Sequence, residues 1–447
     1  MIFKDWLEHL NKKSDKSSSV ENNDNDEQNI LDHDHHDGIG YWGSVAHIVR
    51  AAAGTGILIL PMEMKSLGYI NGSLLLIGVT LIYYHILHIL LDLNFRLQKH
   101  LNLKYSTFAV VVDKIFTVAP SPFRQCRRPV VYLIYIYYMM PIDKAMTLIL
   151  ISSNIQNMAQ YFDIDLNFTW VITCLSIFLC SCCMFRSVFK ALVPFSSASN
   201  LCYFASLVVV IIYSIIYRNL EGNIRPFAGD VSLVLKNTSI CLNAAFATNI
   251  ILPVCNAMKK PRKMVSNFGS LYMSAFIVVI VYTAFALITY INFGDEVQGD
   301  ILENLPVDNL FLLSVKFIFT LTLTVPYVLL FYACFDVIWM SEFQSNLPEN
   351  KCKCIIEYSI RFGYNALAYF FALVVPNLSL LASLAGVIGI LLDVAIMPLL
   401  QLLLMYASKE KNYWIFCKNL ILIAFCLVLF VLSVNNFIEE LSKLYEP

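Results

Sequence analysis

The chain has 447 residues, 58% of them hydrophobic and only 14% charged, with a formal net charge of -1 and a mean hydropathy of +0.66. A soluble domain carries about 25% charged residues, so this much apolar surface needs an apolar solvent and the class is an all-α polytopic membrane protein. The near-zero net charge argues against a nucleic-acid partner, and no cofactor or metal site is expected: Cys126, Cys352 and Cys354 lie in basic loops without the further ligands that zinc requires.

From the N-terminus, residues 1–42 read as a disordered, cytosolic polar tail, rich in Asp, Asn, Ser and His and without the apolar run of a signal peptide. DHDHHDG (Asp32 to Gly38) reads as solvated tail or a weak cation site, and Asp26 with Ile30 and Leu31 has the spacing of an acidic dileucine sorting signal. A bilayer core takes about 20 apolar residues per helix. About 11 such spans follow, over 43–64, 73–95, 129–159, 168–185, 194–217, 231–258, 269–291, 309–339, 358–375, 378–405 and 413–437. The third and eighth contain Pro141 and Pro326 and are expected to kink there; Pro376-Asn377 reads as a tight turn between the ninth and tenth. Most of the 31 Lys and Arg fall in one set of alternate loops, which puts the N-terminus in the cytosol and the C-terminal tail, 438–447, outside. The sequons at Asn71, Asn167, Asn237 and Asn377 fall on outside ends, with Asn167 and Asn237 the better N-glycosylation candidates.

HIVRAAAGTGILILP (His47 to Pro61) places Gly54-Thr55-Gly56 in the middle of the first span. Glycine disfavours helix by about 1 kcal/mol relative to Ala. Two of them around a hydroxyl residue suggest an unwound segment, whose amides suit a carboxylate. Close helix packing through Ala51, Ala52, Ala53, Gly54 and Gly56 is the competing reading. The sixth span, CLNAAFATNIILPVCNAMKKPRKM, again mixes small and polar residues with a mid-span Pro253. Interruptions at corresponding places in two halves point to inverted repeats, spans one to five and six to ten, with the site at their interface.

These residues resemble the proton-coupled amino acid transporters of the amino acid/auxin permease group. The resemblance lies in HIVRAAAGTGILILP, LPVCNAMKKPRKM, INFGDEVQGDILENLP, SVKFIFTLTLTVPY and VVPNLSLLASLAGVIG, in order over most of the chain. It implies a five-plus-five inverted-repeat fold with discontinuous helices 1 and 6, and symport of small amino acids with protons. Carried over by position, Gly54, Thr55 and Gly56, with Ile57 beside them, would hold the substrate carboxylate, and His47 would couple protons. The chain departs from the family's F-E-G-[IV]-G in helix six, where it has Phe246-Ala247-Thr248-Asn249-Ile250. Thr248 and Asn249 would then meet the substrate amine without a carboxylate.

Ionisable residues inside spans are costly and functional candidates by default; here they are Asp143 and Lys144, which as helix neighbours point about 100° apart and need not pair, and Asp393, either an extra proton acceptor or half of a structural buried pair with Lys144, Arg361 or a backbone donor. The sequence therefore reads as a secondary active transporter in the plasma membrane or a lysosomal or endosomal membrane. A non-transporting amino-acid sensor of the same fold is the alternative, motivated by the altered helix six and the polar tail. No enzyme active site is recognisable. The oligomeric state has no signature.

Overall fold

Helix interruptions, and what fills them, organise this molecule. The computed structural model describes residues 38–101, 107–138, 140–185, 195–217, 224–227, 234–235, 237–306, 308–339 and 351–445. The DHDHHD run and the dileucine-like signal, like the rest of 1–37, lie outside the described residues.

The first span is α1 (Tyr41–Ala52), a 3-10 turn (Thr55–Leu58) and α2 (Leu60–Leu67); α3 (Tyr69–Leu101) is the second. Helices α4 (Phe108–Val118) and α5 (Ser121–Gln125) precede the third span, which is split into α6 (Arg127–Tyr138) and α7 (Ile142–Gln160). The first half closes with α8 (Phe168–Met184) and α9 (Ser196–Tyr217). The sixth span is broken again, into α10 (Thr238–Ala245) and α11 (Thr248–Ala257), and α12 (Ser270–Phe293), α13 (Leu310–Ile338) and α14 (Lys351–Val374) follow. The tenth span joins α15 (Leu378–Gly389) to α16 (Ile396–Ser408) through a π-helical segment, Ile390–Ala395, and α17 (Tyr413–Tyr445) is the eleventh.

Among the described residues, eight stretches are long and apolar enough to cross a bilayer. The first span misses that measure because it is broken. The fourth is a shorter apolar helix of 17 residues. The ninth is diluted by Glu357, Arg361 and Asn365. The fold is the expected five-plus-five arrangement, each half opening on a broken helix, with α17 appended. Large apolar side chains such as Trp170 on α8, Ile216 on α9 and Ile421 on α17 face outward, as lipid requires. The core lies where α10 packs on α15 and α3.

Local chemistry explains several ends. Asn377 accepts from the Leu380 amide at 3.1 Å and starts α15 directly after the turn, and Asn167 caps α8 through the Thr169 amide at 2.9 Å. Pro141 sits at the interruption of the third span, whereas α13 runs through Pro326 and α11 through Pro253. The π segment, Ile390–Ala395, has no signature in the sequence, where 378–405 reads as one span. The tail boundary also moves. Helix α1 starts at Tyr41, and Ile39 pairs in parallel with Met258. At the other end α17 continues helically to Tyr445.

Candidate functional site

The two broken spans meet at their interruptions. A Cβ on Gly56 would lie 2.6 Å from the Ala244 Cα, so only glycine permits this approach. A helix N-terminus leaves its first amides without intrahelical partners; in the 3-10 turn that follows Gly54 these belong to Thr55 and Gly56. On the other side of the break, the carbonyls at the end of α1 are satisfied by side chains. Tyr203 donates its hydroxyl to the Gly54 carbonyl at 2.8 Å. Arg50 donates to the Ala53 carbonyl and to Asn200 Oδ1, with its guanidinium 4.3 Å from the centre of the Tyr203 ring. A fixed cation thus sits at the negative end of the half-helix dipole.

Beside this junction is a cavity of about 220 Å³ between spans one, three, five, six and eight. Gly54, Thr55 and Gly56 line it, as do His47, Asp143 and Lys144, so the structure brings these sequence-predicted residues together. His47 is exposed. The Lys144 ammonium lies 5.1 Å from the centre of the Tyr327 ring. Asn243, Asn200 and Thr147 add neutral polar groups, while Phe246 and Pro326 add apolar surface. A side pocket of about 60 Å³ shares Asp143, Lys144, Asn243 and Phe246 with the cavity and reaches Tyr137, Asn249 and Tyr364.

Two of the sequence-predicted residues lie outside these spaces. Thr248 lines neither space: its hydroxyl is 2.6 Å from that of Tyr83, which also accepts from the Ala247 and Thr248 amides at 2.9 and 3.0 Å. That phenol satisfies the start of α11, where Thr248 is held at the break. Ile57 is fully buried within the turn and does not line the cavity. The expectation for Asn237 is corrected. It is 7% exposed, accepts from Asn436 at 3.2 Å and faces Ser66, which leaves no room for a glycan, whereas Asn167 is exposed.

Asp393 lies outside both spaces, in the π segment, 1% exposed. Beyond the membrane-spanning segments, Asp300 caps the turn Ile301–Asn304 through the Leu302 amide at 3.0 Å. Burial pushes its carboxyl up to about 7, against the pull of that amide; Glu303 raises it further, while Lys316 and Asn154 lower it.

Sequence reasoning missed Tyr83, Tyr203, Tyr137 and Asn200. Each acts across more than 140 residues of chain, and a tyrosine in an apolar helix carries no local mark of its partner. Arg50 did carry one, as a charge one turn from the Gly-Thr-Gly.

The sequence model of the family described as transmembrane amino acid transporter protein matches residues 37–439. The chain is 23% identical over 459 residues to the proton-coupled amino acid transporter-like protein pathetic of Drosophila melanogaster, covering 97% of this chain and 92% of that protein. It is 22% identical over 207 residues to the probable amino acid transporter skat-1 of Caenorhabditis elegans, covering 46% and 44%. Among solved structures, a manganese transporter from Eremococcus coleocola, in complex with an aromatic bis-isothiourea substituted compound, superposes with a TM-score of 0.52 at 12% identity, over 94% of this chain and 90% of that one. That likeness speaks to the fold alone.

Proposed function

The chain belongs to the transmembrane amino acid transporter family, an integral, multi-pass transporter family and not one of enzymes, and from that premise we propose that it moves small amino acids together with protons by alternating access. The observation that carries this reading is the junction itself: Gly54, Thr55 and Gly56, at the break of the first span, line a cavity between spans one, three, five, six and eight. At about 220 Å³ the cavity is below the range typical of drug-sized ligands, about 300–1,000 Å³, which suits a small zwitterion. Its carboxylate meets Thr55 and Gly56 and its amine meets Asn243; Asn249, one pocket further, meets a side chain. His47, at the exposed end of the cavity, is the proton-exchanging group with access to water.

The excess of Lys and Arg in one set of loops supports a cytosolic N-terminus, so the cavity opens on His47 toward the cytosol while Gly56 and Ala244 close the other side. The host membrane is the plasma membrane or that of a lysosome or endosome, and Asn167 is the glycan acceptor on the outer face.

The test is uptake of a panel of labelled amino acids into proteoliposomes at acidic and neutral pH. Uptake of small amino acids, faster with a proton gradient, is the expected result. Ligand-induced thermal stabilisation without flux would instead make the protein a receptor, and loss of pH dependence with intact uptake would remove the proton alone.

A further inference from the structure

Asp393 carries a buried carboxyl for which the site described above has no use. The Tyr137 hydroxyl donates to its Oδ2 at 2.8 Å, and the Thr248 hydroxyl faces the carboxyl from the start of α11. Oδ1 has no hydrogen-bond partner among the described residues, and no cation pairs with the group there. An ionised carboxylate in an apolar interior costs several kcal/mol unless paired. A proton on Oδ1 removes that cost.

Its neighbours are the ends of interrupted helices. Tyr137 is in the last turn of α6, before the break of the third span. Thr248 is the first residue of α11, after the break of the sixth. Phe246, at that break, lies against Gly389, where a Cβ would be 1.9 Å from its ring, and Gly389 directly precedes the π segment. Three discontinuities therefore converge on one acid.

We propose that Asp393 is a second, buried proton site of the transport cycle, protonated in the state described here, and that its deprotonation rearranges the breaks in spans three and six. The proposal rests on the transport reading. The side pocket shares Asp143 with the cavity and is lined by Tyr137, the phenol that donates to Asp393, which places a path for the proton along these residues. The titratable groups facing Asp393 are Tyr137 on α6, Asp143 on α7 and Tyr83 on α3. Helix α15 has no ionisable residue and α16 only Tyr406 near its far end. Helix α17, packed on the π segment, brings Cys426 beside Ile390 and Val394, while its Lys418 is 3.1 Å from His85. Losing the proton leaves a charge beside Asp143, and the remaining polar response is for Tyr137 and Thr248 to turn fully onto the carboxylate.

The experiment uses the full chain in lipid and compares it with Asp393→Asn and Tyr137→Phe. Infrared spectra across pH are expected to show a protonated carboxyl band at neutral pH that is missing in Asp393→Asn and titrates at lower pH in wild type than in Tyr137→Phe, which lacks the donor to the charged form. In proteoliposomes supplied with labelled alanine, glycine, serine and proline, Asp393→Asn is expected to retain exchange, while accumulation driven by a pH gradient falls by about tenfold or more. An identical carboxyl band in Asp393→Asn, or undiminished gradient-driven accumulation, overturns the proposal. Wild type that neither exchanges nor accumulates amino acids overturns the transport reading and the coupling with it, and the band then reports separately whether the buried proton exists.

Discussion

Gly54 and Gly56 stand two residues apart in the same motif, yet the structure assigns them different sensitivities. A Cβ on Gly54 would find nothing nearer than the Ala52 carbonyl oxygen at 3.9 Å. A Cβ on Gly56 would be 2.6 Å from the Ala244 Cα and 3.0 Å from its Cβ. Those are atoms of a helix, not the far end of a flexible side chain, so the strain is relieved only by moving α10 away from the turn. Overpacking of this kind costs about 1–3 kcal/mol, equivalent to roughly 5–150-fold in any equilibrium that needs the two breaks in contact. Gly56→Ala should therefore lower substrate affinity by a factor in that range and reduce the melting temperature, while Gly54→Ala stays close to wild type in both. Scintillation-proximity binding and thermal unfolding in detergent measure the two quantities. Equal effects of the two substitutions would refute the steric argument; a large loss at Gly54 alone would reverse it.

Tyr83→Phe removes the acceptor of two buried amides at the start of α11, and each unsatisfied group costs about 1–3 kcal/mol; thermal unfolding should register the loss, and an unchanged melting temperature would mean that water replaces the phenol. Asp300 gives a pH prediction outside the membrane. Its carboxyl rises from 3.8 unfolded to about 7 folded, so the folded chain holds the proton more tightly. Its contribution to stability is complete below the unfolded value and is lost as pH climbs through about 7. The wild-type melting temperature should fall between about pH 4 and pH 7 and that slope should flatten in Asp300→Asn. Asn167→Gln should remove a glycan-dependent gel shift and Asn237→Gln should not, read after expression in a glycosylating cell. His47→Ala should flatten the pH response of uptake, and an unchanged pH profile would exclude His47 from proton exchange.

The parts of this molecule legible in its sequence are those whose cause is local. Gly54-Thr55-Gly56 announces an unwound turn because helix propensity is a property of those residues, and the spans announce themselves through hydropathy. The second break was legible only in outline. Pro253 drew attention to the sixth span, but the helix opens seven residues earlier, at Phe246 and Ala247, and Pro253 sits inside α11. Nothing in Phe246-Ala247-Thr248 is a helix breaker. The break is held by the Tyr83 hydroxyl from another span, and such a partner has no trace in the segment it serves. The placement of Thr248 is illegible for the same reason, since its hydroxyl meets Tyr83 from another span. The π segment at Asp393 is likewise a tertiary outcome. Asn237 shows the limit of motif reading, because a sequon reports the neighbours in sequence but not the buried Asn436 amide across from it.

The backbone of Ile39 donates to the Ala257 carbonyl at 2.8 Å and accepts from the Lys259 amide at 3.0 Å. That clasp fastens the entrance of α1 to the exit of α11, so neither inner half-helix can shift relative to the other without breaking two backbone hydrogen bonds.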